Sequence, residues 1–159
     1  MKTYTKAQSA IGLTGWIVLT FLAPMTGVFG KPGVWYAALN KPSFNPPGWI
    51  FGPVWTLLYT LMALAAWLVW KRGGFSSQRG PLTLYLIQLA LNAAWTPIFF
   101  GLHRLDIAFV VIVALWIAIA LTLRAFWQVN RLAGGFFVPY LAWVSFATFL
   151  NGTLWRLNP

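Results

Sequence analysis

The chain has 159 residues, of which 60% are hydrophobic, 18% aromatic and only 8% charged. A soluble globular protein carries roughly 25% charged residues, so this composition excludes an ordinary water-soluble domain and points to lipid as the solvent. The net charge is +10, with Asp106 the only acid, and there is no cysteine, which excludes disulfides, thiol nucleophiles and thiolate metal sites.

Five charge-free intervals, 7–30, 42–70, 80–102, 107–123 and 132–155, set the elements. A spanning helix needs about 20 apolar residues. The fourth interval reaches that length over 105–127, with Arg124 snorkelling to the interface. The pattern predicts an all-α integral membrane protein, a five-transmembrane-helix bundle, occupying 1–159 as one domain. Its helices are expected at about 9–29, 52–70, 82–101, 105–127 and 136–155. The basic residues lie between these spans, so they read as topology signals and lipid-headgroup contacts, and no nucleic-acid partner is implied.

Lys2 and Lys6 precede the first span, which is too long for a signal-peptide core and reads as a retained helix. Within it Gly12, Gly15, Ala23 and Gly27 allow close helix approach, and Pro24 predicts a kink. Residues 30–51 form the one long loop. It carries a short apolar turn beginning at Trp35-Tyr36, a candidate contact on the rim, then Lys41-Pro42 and Asn45-Pro46-Pro47. The prolines remove backbone donors and bias their predecessors to extended geometry. This stiff loop feeds directly into the second helix, with Pro53 in its first turn. It reads either as a lid over a pocket, with Trp55 and Tyr59 on one face of the wall, or as a rigid connector with interfacial aromatics.

The third helix has the most polar face at membrane depth: Gln88, Asn92 and Trp95, with Thr96 beside them. Such amides must find partners in hydrocarbon, so the face points into the bundle, either to bond neighbouring helices or to contact a ligand. Ala90 and Ala94, on another face, could serve a self-association seam. The fourth helix is nearly featureless apart from Trp116 and reads as lipid-facing. The fifth has Pro139 in its first turn, then Trp143, Ala147 and Leu150 or Asn151 on one face. Counting residues puts Trp55, Tyr59, Asn92, Trp95, Ala147 and Asn151 at one depth on the loop side, with Trp143 slightly deeper. That convergence of aromatic walls and a few polar groups predicts a small-molecule pocket. Seven basic residues on the N-terminal side against four on the loop side favour the N-terminus inside.

The order of these motifs resembles the TspO/MBR (translocator protein, peripheral benzodiazepine receptor) family, in its bacterial type. The resemblance is carried by Trp35-Tyr36, Lys41-Pro42, Pro46-Pro47, Gly52-Pro53-Val54-Trp55, Gln88-Leu89-Ala90-Leu91-Asn92 with Trp95, Pro97-Ile98-Phe99-Phe100-Gly101, and Pro139-Tyr140-Leu141-Ala142-Trp143. It implies a bundle that is often a homodimer, in a bacterial cell membrane. It implies a pocket formed by Ala23, Trp55, Asn92, Trp95, Trp143, Ala147 and Leu150. The ligands it implies are porphyrins (protoporphyrin IX or haem-type tetrapyrroles) and isoquinoline or benzodiazepine-like compounds. Trp55 and Trp143 match tryptophans tied to light-dependent porphyrin breakdown in bacterial members. Cholesterol is disfavoured, because Gly152 and Thr153 stand where the animal sterol motif needs a tyrosine. Ile107 replaces a pocket tryptophan of animal members, which implies a less aromatic fourth-helix wall.

Three functions follow: a tetrapyrrole binding protein or sensor, a light-dependent porphyrin-degrading activity, or a transporter. No acid–base pair, metal cluster or activated nucleophile supports conventional catalysis, and no cofactor is required. Lys31 or Lys41 at the lid could meet porphyrin carboxylates. His103, in a surface turn, is a weak haem ligand candidate. Asp106 beside Arg104 reads as a helix cap in preference to a proton-coupling carboxylate.

Overall fold

The computed structural model describes residues 4–159, so Lys2 lies outside the described residues. Helix α1 (Lys6–Leu22) starts three residues earlier than expected because Thr5 and Gln8 cap it reciprocally, side chain to backbone, at 3.2 and 3.0 Å. At Pro24 the helix tightens into a 3-10 segment, Ala23–Phe29. Within the long loop lie a short helix α2 (Val34–Ala38) and a single turn, Gly48–Ile50, which runs into α3 (Phe51–Trp70). Gly73 and Gly74, at φ 126° and 81°, reverse the chain into a short α4 (Gly74–Ser77) that the sequence pattern does not signal.

Helix α5 (Arg79–Thr96) ends at Pro97 in a π turn, Pro97–Gly101, where Leu102 N–H donates to the Pro97 carbonyl at 2.9 Å. Helix α6 (Leu105–Val129) follows a tight turn at His103. Asn130 then caps a further short helix, α7 (Arg131–Phe136), and α8 (Val138–Leu157) completes the chain. Five helical segments, of 24, 23, 23, 25 and 27 residues, are long and apolar enough to cross a membrane.

Two expectations are corrected. Helix α6 is not only a lipid-facing surface element: one face, with Val110, Ile117 and Leu121, is exposed, and the other is packed. It packs against α5, α7 and α8 and buries Ala108, Ile112, Leu115, Ala118 and Ile119. In lipid both the packed and the exposed faces of a helix are apolar, so lack of polar residues does not separate them. Gly15 makes no close helix contact: it is exposed, with open space around it. Gly12 does, lying against the Trp70 ring. The upper part of the first span packs on α5, where Ala23 is buried and Thr26 Oγ1 donates to the Ala93 carbonyl at 2.8 Å. At the loop end two backbones nearly touch. A Cβ on Gly30 would come 2.7 Å from Gly101 N, and one on Gly101 would come 2.5 Å from the Phe29 carbonyl oxygen.

The half of the bundle away from the long loop is solid. Tyr85, Phe126 and Phe137 are fully buried, with ring centroids 5.3–6.2 Å apart. Ala65, Ala66, Val69 and Leu82 fill the space around them without exposure.

Candidate functional site

The loop-side half holds a cavity of about 410 Å³. Helix α3 contributes Phe51, Trp55 and Tyr59, and α5 contributes Asn92, Trp95 and Thr96. The π turn adds Phe99 and Phe100, and α6 adds Ile112 and Leu115. From α8 come Trp143, Ala147, Leu150 and Asn151, while Pro32, Tyr36, Asn45 and Pro46 form a roof. Trp55 and Tyr59 stack one turn apart, with centroids at 5.4 Å, and Phe51 meets Trp143 edge-on at 5.8 Å.

The buried polar groups are engaged. Tyr59 OH donates to Asn92 Oδ1 at 2.6 Å, and Asn92 Nδ2 donates to Tyr140 OH at 3.0 Å. Tyr140 OH in turn donates to Gln88 Oε1 at 3.1 Å. On the other side Trp95 Nε1 donates to Asn151 Oδ1 at 3.1 Å, and Asn151 Nδ2 donates to the Leu105 carbonyl at 3.1 Å. Among the described residues no buried side-chain nitrogen or oxygen lacks a partner. The polar face of α5 therefore bonds neighbouring helices, and Asn92 also borders the cavity. Gln88 is fully buried below it and takes no part in the lining.

Of the nine residues expected at a ligand site, seven line this cavity: Trp55, Tyr59, Asn92, Trp95, Trp143, Ala147 and Leu150. Ala23 does not, because it is packed into the core at 4% exposure and Pro24 reaches the cavity in its place. Trp35 does not either. Helix α2 turns Tyr36 inward and leaves Trp35 stacked on His103, centroids 4.2 Å apart, over an outer groove shared with Arg104, Asp106 and Trp155. Ile107 is 40% exposed and lies off the cavity, so its identity leaves the α6 wall unchanged. That wall is Ile112 and Leu115, which no sequence signal marked. Phe51 was findable, one turn before Trp55 on the same face; Phe99 and Phe100 owe their position to the π turn.

Among the described residues no charged side chain lines the cavity. Lys41 sits just behind the roof, 4.8 Å over the Tyr36 ring, and donates to the Ala37 and Leu39 carbonyls at 3.0 and 3.2 Å. Asp106 is held in a two-point ion pair with Arg104 at 2.9 and 2.6 Å, in the outer groove.

Five membrane-spanning helices around an aromatic, uncharged cavity beneath a proline-rich loop define an integral, multi-pass membrane protein with a chamber open to apolar guests in size and lining. The pattern of the TspO/MBR family matches residues 11–156, and the chain belongs to that family. It is 47% identical over 147 residues to the tryptophan-rich sensory protein of Cereibacter sphaeroides, covering 89% of this chain and 91% of that one. It is 47% identical over 146 residues to the human translocator protein, covering 86% of each. It is 46% identical over 134 residues to the tryptophan-rich protein TspO of Chlorobaculum tepidum, covering 81% of this chain and 83% of that one.

Proposed function

We propose that this protein is a membrane sensor and binding protein for porphyrins, protoporphyrin IX or haem-type tetrapyrroles, and for isoquinoline or benzodiazepine-like compounds, held beneath the 30–51 loop. One observation carries the reading: Trp55, Trp95 and Trp143, from three helices, border one cavity. Indole faces stack in offset fashion on a flat aromatic disc. Lys31, exposed beside the roof residue Pro32, and Lys41 behind Tyr36 supply cations for porphyrin carboxylates. A tryptophan-rich sensory protein and a translocator protein among the relatives favour the same reading. The test is quenching of tryptophan fluorescence by protoporphyrin IX against a sterol. Saturable quenching at submicromolar to micromolar porphyrin, absent with sterol, supports it; no saturable quenching overturns it.

The same two cavity indoles, Trp55 and Trp143, favour a second reading, light-dependent porphyrin breakdown started by electron transfer from an indole to the excited ligand. Illuminated and dark porphyrin absorbance, compared in Trp55→Phe and Trp143→Phe, decides it: unchanged loss in both variants ends this reading. Proton-coupled transport lacks a carboxylate at the ligand, because Asp106 is paired with Arg104 outside the cavity. Facilitated ligand movement remains as the transport form of the proposal. The proposal also places the protein in a bacterial cell membrane as a homodimer, with the N-terminus inside. Sterol is not proposed as a partner: Gly152 and Thr153 stand where the animal sterol motif needs a tyrosine.

A further inference from the structure

The roof of the cavity is fastened, and one wall is not. Asn40 N–H donates to Asn158 Oδ1 at 2.9 Å, and Asn158 Nδ2 donates back to the Asn40 carbonyl at 3.0 Å. Trp35 stacks on His103, and Tyr36 packs edge-on against Phe100 at 5.4 Å. These contacts tie the loop to the end of α8 and to the turn after α5. Lifting the roof breaks all of them together.

The α3–α8 side differs. Helix α3 packs on α1 and α7, and α8 packs on α6. Across the gap α3 and α8 meet through rings, Phe51 to Trp143 and Trp55 to Tyr140, at centroid distances of 5.8 and 6.1 Å. At the start of α3 the cavity reaches Gly48 and Gly52, four residues apart on one face. Both are exposed, and a Cβ on either would meet nothing within 4 Å. A position that lines a cavity and also faces the surroundings marks an opening: Pro24 and Pro32 do so beside the roof, each covered by its own ring, and Gly48 and Gly52 do so on the α3–α8 side, where no side chain covers the gap. This mouth lies in the first turns of Gly48–Trp70, a segment long and apolar enough to cross a membrane, which is the basis for reading it as open to lipid. Its rim is aromatic: Trp49 is 74% exposed, and Phe44 stacks on Phe149 at 5.3 Å.

We propose that planar apolar ligands pass between the bilayer and the cavity sideways, through the gap at Gly48 and Gly52 between α3 and α8, with the Phe51 ring swinging on Trp143 as the door. The proposal rests on the reading of the cavity as a ligand site. A flat guest already dissolved in lipid reaches the indoles without crossing water. The step needs one side-chain rotation, and such rotations are fast.

The test uses the full chain in lipid nanodiscs and follows tryptophan quenching after rapid mixing with protoporphyrin IX. Gly52→Leu fills the mouth where there is room for it, and Gly48→Leu does so independently. Both variants are expected to slow association and dissociation together, each at least about fivefold, so that affinity changes less than either rate, as for a barrier on the path. Asn158→Ala, which unfastens the roof, is expected to leave both rates within about twofold of the wild type. Wild-type rates in both glycine variants, a loss of affinity through faster dissociation alone, or faster exchange in Asn158→Ala would each overturn the sideways route. A wild-type protein that binds no porphyrin overturns the ligand-site reading itself, and the route with it.

Discussion

The two halves of the bundle are built from the same residue types and differ in whether they are filled. Away from the long loop, Tyr85, Phe126 and Phe137 interlock with alanines and leave no space. Toward the loop, Trp55, Trp95, Trp143 and Phe99 stand around a void. Aromatic content therefore does not make a cavity; a break in backbone regularity does. In the solid half α3 and α5 run as unbroken α-helix and α1 approaches through Gly12. In the hollow half the first span changes to a 3-10 segment at Pro24 and the third to a π turn at Pro97, so side chains there leave the i, i+4 spacing by which regular helices interleave.

Five substitutions test that contrast. Phe126→Ala empties a position with no exposure and is expected to cost on the order of 3–5 kcal/mol, read as a drop in thermal midpoint in detergent. An equal drop for Trp143→Ala would break the contrast. Asn92→Ala, at the boundary, removes the shared partner of Tyr59 and Tyr140 and is expected to cost about 1–3 kcal/mol. It should lower both the midpoint and porphyrin quenching. Trp143→Ala is expected to weaken porphyrin binding about tenfold, or about 1.4 kcal/mol, with a smaller midpoint change than Phe126→Ala. Gly15→Ala, in open space, is expected to stabilise by up to about 1 kcal/mol through helix propensity. Gly12→Ala, against Trp70, is expected to destabilise, and the same melts compare the two.

The five spans were legible because charge is expensive in hydrocarbon and so marks every crossing. Much of the cavity lining was legible too. A proline-stiffened loop fixes which helix ends lie beneath it, and Asn92 and Trp95 needed partners inside the bundle. What escaped had no such signature. The packing face of α6, with Ile112 and Leu115, is chemically the same as its lipid face. Helices α4 and α7 are short turns set by neighbouring contacts. Trp35 and Tyr36 are adjacent, and only the docking of α2 decides which turns inward. Ala23 lost its place to Pro24 because neighbouring positions on a helical turn face different directions, and Ala23 is the one turned into the core.

The crossing of Gly30 and Gly101 carries a consequence for how the gene tolerates change. Each glycine would push a new side chain into the other strand's main chain, which no rotamer escapes. In a saturation library selected for folded protein, those two codons should stay invariant. Gly48 and Gly52, with equally small residues but empty surroundings, should drift freely. Four glycines at the loop-side end of the bundle would thus carry opposite mutational fates.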